Sequence, residues 1–111
     1  MLKMKRIFSA LFATTVLLFY AAPATAANVI RVVVYGDSLT SGYQLTEEAS
    51  YASQLRKKLQ AIGYSNVEVI NMSVAGETTT GGLERLSSLL LKQPDVVVLQ
   101  LGGNDVIRGV N

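Results

Sequence analysis

"VIRVVVYGDSL", Val29 to Leu39, is the stretch whose reading decides the fold. Its β-branched run from Val29 to Tyr35 is ended by Gly36. So few polar positions predict a strand covered on both faces, which is the pattern of an inner parallel strand. Gly-Asp-Ser then forces a sharp turn. Ser38 stands two residues past Gly36. A Ser or Asp at such a turn commonly caps a helix or bend through side-chain-to-backbone hydrogen bonds, which is the stronger reading of this stretch taken alone, and presentation of the serine as a nucleophile is the other. Within this stretch both readings stay open.

Downstream, helical periodicity runs from about Ala49 to Ile62, with Tyr51, Leu55, Leu59 and Ile62 on one stripe. Arg56, Lys57, Lys58 and Gln60 lie mostly off it as a solvated face, and Gly63 is placed for a C-terminal cap. "VEVIN", Val67 to Asn71, reads as a second strand, followed by the polar loop "MSVAGETTTGG". Leu83, Leu86 and Leu90 then recur at helical spacing, with Thr79 or Thr80 as N-cap and Pro94 as the stop. "DVVVLQL", Asp95 to Leu101, is the third and most apolar strand, closed by "GGND". The alternation β-α-β-α-β predicts a parallel sheet with helices on its faces and right-handed crossovers. Parallel strands all point one way, so Gly36 to Thr40, Ser73 to Gly76 and Gly102 to Asp105 should share one carboxyl edge, where such folds place ligands.

Upstream, Lys3, Lys5 and Arg6 precede an apolar stretch from Ile7 to Ala22 and then Pro23-Ala24-Thr25-Ala26. A cationic start, an apolar core shorter than the ~20 residues of a membrane span, and an A-x-A site predict a signal peptide over residues 1–26. The domain is then residues 27–111, with no stable membrane insertion after cleavage. Removing residues 1–26 takes three of the ten Lys and Arg and none of the eight Asp and Glu, leaving seven cations against eight anions. That balance gives no argument for a nucleic-acid partner. Cysteine is absent, which excludes disulfides, a lipid-bearing N-terminal cysteine and thiolate metal sites.

Familiar glycine motifs fail on spacing. Gly36 and Gly42 are separated by five residues and Tyr43 stands where a P-loop needs lysine, while Thr40 occupies the last glycine of a G-x-S-x-G elbow. Acyl-transfer geometry remains. A tetrahedral intermediate needs donors aimed at its oxyanion, each worth about 2.7 to 4 kcal/mol. The rim can offer the N–H of Ser38, the N–H of Gly76, whose missing Cβ would let a substrate close in, and the side-chain amide of Asn104. Gly-Gly-Asn-Asp is also ordinary turn chemistry, and Asn caps helices well.

"GDSLTSGY" (Gly36 to Tyr43), "NMSVAGETTTGGLERL" (Asn71 to Leu86) and "LQLGGND" (Leu99 to Asp105) resemble, in order, the first three blocks of the SGNH, or GDSL, hydrolases, and most closely the exported bacterial thioesterase I, lysophospholipase and arylesterase branch. The resemblance implies a three-layer αβα, flavodoxin-like fold with a parallel sheet. It implies Ser38 as nucleophile, Gly76 and Asn104 as the rest of the oxyanion hole, no cofactor or metal, and a small ester, thioester or lysophospholipid substrate handled in the periplasm or outside the cell. Asp37 belongs to the motif and is assigned to shaping the turn.

One block is missing. The family's late Asp-x-x-His supplies the base that takes the serine proton, and this sequence has no histidine. Asp37 or Asp105 would be a weak substitute at an ordinary carboxyl pKa of ~3.9. The expectation is therefore an N-terminal part of such a domain, truncated after the third strand. Roughly 60 to 90 further residues would complete it at ~30 per βαβ step. Alone, this part should be inactive and should expose an apolar sheet edge. An acyl- or carbohydrate-binding module that kept the rim without the base is the alternative. A nucleotide-binding domain is weaker still, since no phosphate-binding glycine pattern is present. Oligomeric state has no signal in the sequence.

Overall fold

The computed structural model describes residues 28–110. The signal peptide expected over residues 1–26 lies outside them. Three parallel strands, β1 (Ile30–Gly36), β2 (Val67–Asn71) and β3 (Val96–Gln100), form one sheet in the order β2-β1-β3. β1 is the inner strand that its run of β-branched residues predicts: Val33 pairs with Ile70 on one side and with Val97 on the other. Val32, Val33, Val34 and Tyr35 are all buried. The pleat sends alternate residues to opposite faces. Val33 and Tyr35 pack with Leu89, while Ile30 and Val32 share the other face with Leu55 and Leu59. Helices thus cover both sides of β1, and the sheet is the middle of three layers.

After β1 come α1 (Ser38–Ser41), a 3-10 turn at Glu47–Ala49, and α2 (Tyr51–Ala61). Ser50 caps α2, accepting from the Ser53 N–H. The far end closes as a Schellman motif: Gly63 at φ +110 donates to the Gln60 carbonyl and Tyr64 to that of Leu59. The expected apolar stripe is shorter than its periodicity suggests. Ile62 is the C-cap and is 72% exposed, and Tyr51 also faces outward. Ala52 and Ser53 are buried in their place.

The helix expected through Leu83, Leu86 and Leu90 is instead two, α3 (Thr79–Glu84) and α4 (Leu86–Leu90), divided at Arg85. Thr78, rather than Thr79 or Thr80, is the N-cap, accepting from the Gly81 N–H. Arg85 has φ −103 and ψ 14, and its guanidinium turns away to pair with Glu77. Leu89 then faces the core, and the periodic Leu83, Leu86 and Leu90 are exposed. The second segment ends at Leu90, before Pro94 is reached. A last helix, α5 (Gly103–Arg108), follows β3.

β3 is an edge strand. Val96, Val97 and Leu99 are 48%, 41% and 68% exposed, as expected for an open apolar edge. An apolar groove of about 730 Å³ lies between Leu83 and Leu86 on one side and Val97 and Leu99 on the other, on the sheet face rather than at the Ser38 turn. Among the described residues no helix is long and apolar enough to cross a membrane.

Candidate active site

Gly36 lets the end of β1, the first turn of α1 and the end of β3 meet. A Cβ there would fall 2.6 Å from the Gln100 carbonyl oxygen and would also collide with Thr40 Oγ1. The turn that follows is held by Asp37, which is 2% exposed. Its Oδ1 accepts from the Leu39 N–H at 3.0 Å, which makes Asp37, not Ser38, the N-cap of α1. Its Oδ2 accepts from Gln100 Nε2 at 3.1 Å, and its own N–H reaches Gln100 Oε1 at 3.4 Å. Thr40 Oγ1 extends the network to Ser73 Oγ at 2.8 Å.

Because Asp37 does the capping, Ser38 is left uncommitted. It is the first residue of α1, where a backbone N–H has no partner within the helix. Among the described residues neither its N–H nor its hydroxyl finds a protein acceptor. The side chain is half-buried at the rim.

Residues 72–78 cross beside this turn. Met72 N–H donates to the Val34 carbonyl at 2.8 Å and Val74 N–H to that of Gly36 at 2.9 Å, carrying the β1 pairing past the end of β2. Gly76 lies two residues further on at φ +82. That left-handed conformation is what requires glycine, because an added Cβ would meet only Arg108 Nη2, at an ordinary 3.4 Å. The Gly76 N–H also finds no protein acceptor among the described residues, while its carbonyl accepts from Arg108 Nη2 at 2.9 Å.

Asn104, on α5, donates from Nδ2 to the Glu77 carbonyl at 2.9 Å, which leaves the second amide hydrogen unspent. The structure therefore brings Asn104 directly against the residue after Gly76. It also brings the residue before Asn104 against the one before Ser38, since a Cβ on Gly103 would lie 3.7 Å from Asp37 Oδ2. Each candidate donor thus lies within a residue or two, along the chain, of a point where its segment closely approaches another donor's segment.

Neither carboxylate of the rim is free to act as a base. Asp37 is committed to Leu39 and Gln100. Asp105 accepts from the Thr79 hydroxyl at 2.6 Å and from the Thr79 N–H at 3.0 Å, and these bonds hold its carboxyl below the usual range. A carboxylate so stabilised is a weaker proton acceptor. Among the described residues no three His, Cys, Asp or Glu side chains gather as a metal site requires.

Sequence reading missed Gln100, the Thr40–Ser73 contact and the Thr79–Asp105 brace. A signal existed for the first, because a glutamine inside an otherwise apolar strand needs a polar partner. Nothing local marks the other two.

The chain resembles known proteins in both sequence and fold. Residues 34–111 match the family described as GDSL-like Lipase/Acylhydrolase. An arylesterase of Vibrio mimicus is 42% identical over 96 residues, which are 86% of this chain and 48% of that protein. An Escherichia coli protein named as thioesterase 1, protease 1 and lysophospholipase is 40% identical over 85 residues, 76% of this chain and 39% of its own length. The crystal structure of AlinE4, an SGNH-hydrolase family esterase, superposes with a TM-score of 0.69 at 37% identity, covering 78% of this chain and 47% of that one. The chain thus spans less than half the length of each of these relatives.

Proposed function

This chain belongs to the GDSL-like lipase/acylhydrolase family, and on that basis we propose that the protein is a serine ester hydrolase of arylesterase, acyl thioesterase or lysophospholipase type, acting through acylation of Ser38. The observation that carries the reading is Ser38, whose N–H and hydroxyl find no protein acceptor among the described residues, on a rim crossed by the Gly76 and Asn104 segments. Ser38 Oγ attacks the acyl carbonyl carbon. As that bond forms, the carbonyl π pair moves to oxygen, where the N–H groups of Ser38 and Gly76 and the spare amide hydrogen of Asn104 receive the charge. The bond to the leaving oxygen or sulfur breaks, and water releases the acyl group from Ser38 by the same route.

The serine proton needs an acceptor, and the sequence has no histidine. Acylation therefore draws on a base outside these 111 residues, and we expect the 111-residue chain alone to be inert. Residues 1–26, with their cationic start and A-x-A site, support a periplasmic or secreted location. The test is covalent labelling. In the intact gene product a fluorophosphonate should form an adduct on Ser38, and Ser38→Ala should abolish both adduct and p-nitrophenyl acetate turnover. An intact, folded protein that never labels rejects the reading.

The missing histidine favours one second reading, a non-catalytic acyl- or carbohydrate-binding module on the same fold. Saturable ester binding with no adduct on Ser38 distinguishes it.

A further inference from the structure

Gly76 lies on the loop after β2 and Asn104, on α5, is held to that loop by a hydrogen bond, while the side chain that anchors the loop belongs to neither residue. Glu77 follows Gly76, and its carbonyl is the acceptor that holds Asn104. Its carboxylate is 8% exposed, an unusual burial for a group that carries charge. Arg85, with a side chain 23% exposed, faces it: Nε donates to Oε2 at 2.6 Å, and Nη2 crowds the same oxygen without a separate hydrogen bond. The guanidinium carbon also sits 4.0 Å from the centroid of the Tyr35 ring.

Tyr35 is a residue of β1, three positions before Ser38. Its hydroxyl donates to the Gly82 carbonyl at 2.6 Å, and burial pushes its ionisation up, so the donor is kept. An unbroken chain of contacts thus leads from the strand that presents Ser38, through the Tyr35 ring, Arg85 and the Glu77 carboxylate, to the peptide between Gly76 and Asn104. Arg85 is also the residue at which α3 and α4 part, so the helix gives up its continuity where this contact is made.

We propose that Arg85 is a positioning residue for the oxyanion site: paired to Glu77 and stacked on Tyr35, it sets the Gly76 N–H and the Asn104 amide at a fixed place relative to Ser38. The inference rests on the esterase reading above. Arg85 touches no reacting atom. Its effect falls on transition-state charge, because a donor displaced by a fraction of an ångström still admits the substrate but no longer meets the oxyanion. A planar, forked cation suits the place, since only it can pair with a carboxylate and lie flat on a ring at once.

The test uses the intact gene product, with active sites counted by stoichiometric phosphonylation of Ser38. Per titrated site, Arg85→Met and the isosteric Glu77→Gln should each lower kcat by about 10- to 100-fold, with KM changed less than about three-fold. Arg85→Lys should fall between these and the unmodified protein. The double variant should lose little more than either single, because both break one unit. A merely structural role predicts fewer titratable sites and a lower Tm with unchanged kcat per site, and that result overturns the proposal. If Arg85→Met does not fold, Glu77→Gln and Arg85→Lys carry the same test. Absence of any adduct in the unmodified protein rejects the esterase reading itself, and the proposal with it.

Discussion

Asp37 and Gln100, 63 positions apart in sequence, hold each other through two hydrogen bonds, 3.1 Å from Gln100 Nε2 to Asp37 Oδ2 and 3.4 Å from the Asp37 N–H to Gln100 Oε1. This clasp ties the Ser38 turn to the end of β3. Asp37 is buried, so removing its partner leaves a carboxylate oxygen unsatisfied. Gln100→Ala should cost about 1–3 kcal/mol in urea unfolding. An unchanged midpoint would mean that water replaces the amide without loss.

Gly36→Ala should be at least as damaging. The new methyl would sit 2.6 Å from a backbone carbonyl, which cannot rotate aside as a side chain can. Overpacking of this kind costs roughly 1–3 kcal/mol. Adding Thr40→Ala relieves only one of the two collisions, so the double variant should recover little. Recovery of the full Tm would show that the strand ends can spread.

Gly76→Ala acts differently, through backbone conformation. At φ +82 an L-residue is strained by roughly 1–2 kcal/mol, while the space beside it is adequate. The variant should fold with slightly lower stability, and in the intact protein its phosphonylation rate at Ser38 should fall. A Gly76→Ala variant with an unaltered rate would remove Gly76 from the oxyanion site.

Acid sensitivity should involve Asp105. Its hydrogen bonds from Thr79 hold the folded carboxyl below the usual range. A group depressed in this way contributes fully above its unfolded value of ~3.9, and the contribution is lost as pH falls through the folded value. Stability from this group is thus present at neutral pH and disappears below about pH 4. Asp105→Asn should be less stable than the unmodified chain near neutrality, with the gap narrowing in acid. A gap of constant size across that range contradicts the assignment.

The exposed edge predicts self-association. Leu99 is 68% exposed on a strand with unpaired backbone groups, and Val96 and Val97 earlier in the same strand are exposed as well. Sedimentation of residues 27–111 should reveal oligomers or aggregates, and Leu99→Lys should reduce them. Equal association in the variant would place the sticky surface elsewhere.

The three parallel strands, the first of them as an inner one, and the loops at their ends were legible because their signals are local and strong, whereas the order β2-β1-β3 came from the structure. The β-branched run ended by glycine reads as the buried strand β1, and the Leu55 and Leu59 spacing marks the helix α2, whose cap at Ser50 the structure supplied. α3 and α4 were read as one helix because Leu83, Leu86 and Leu90 repeat correctly; a tertiary contact, Arg85 with Glu77, overrides that periodicity and turns Leu89 inward.

The order of residues alone thus determined a parallel sheet and the loops that gather at its carboxyl edge, since handedness and strand direction follow from the β-α alternation. Which of Asp37 and Ser38 would cap the helix was decided only by tertiary structure. Both can bond a backbone N–H locally, and the choice fell to Asp37 because Gln100, arriving from a distant strand, satisfies the second oxygen of a carboxylate and so lets it be buried. Ser38 as a consequence keeps its hydroxyl uncommitted among the described residues.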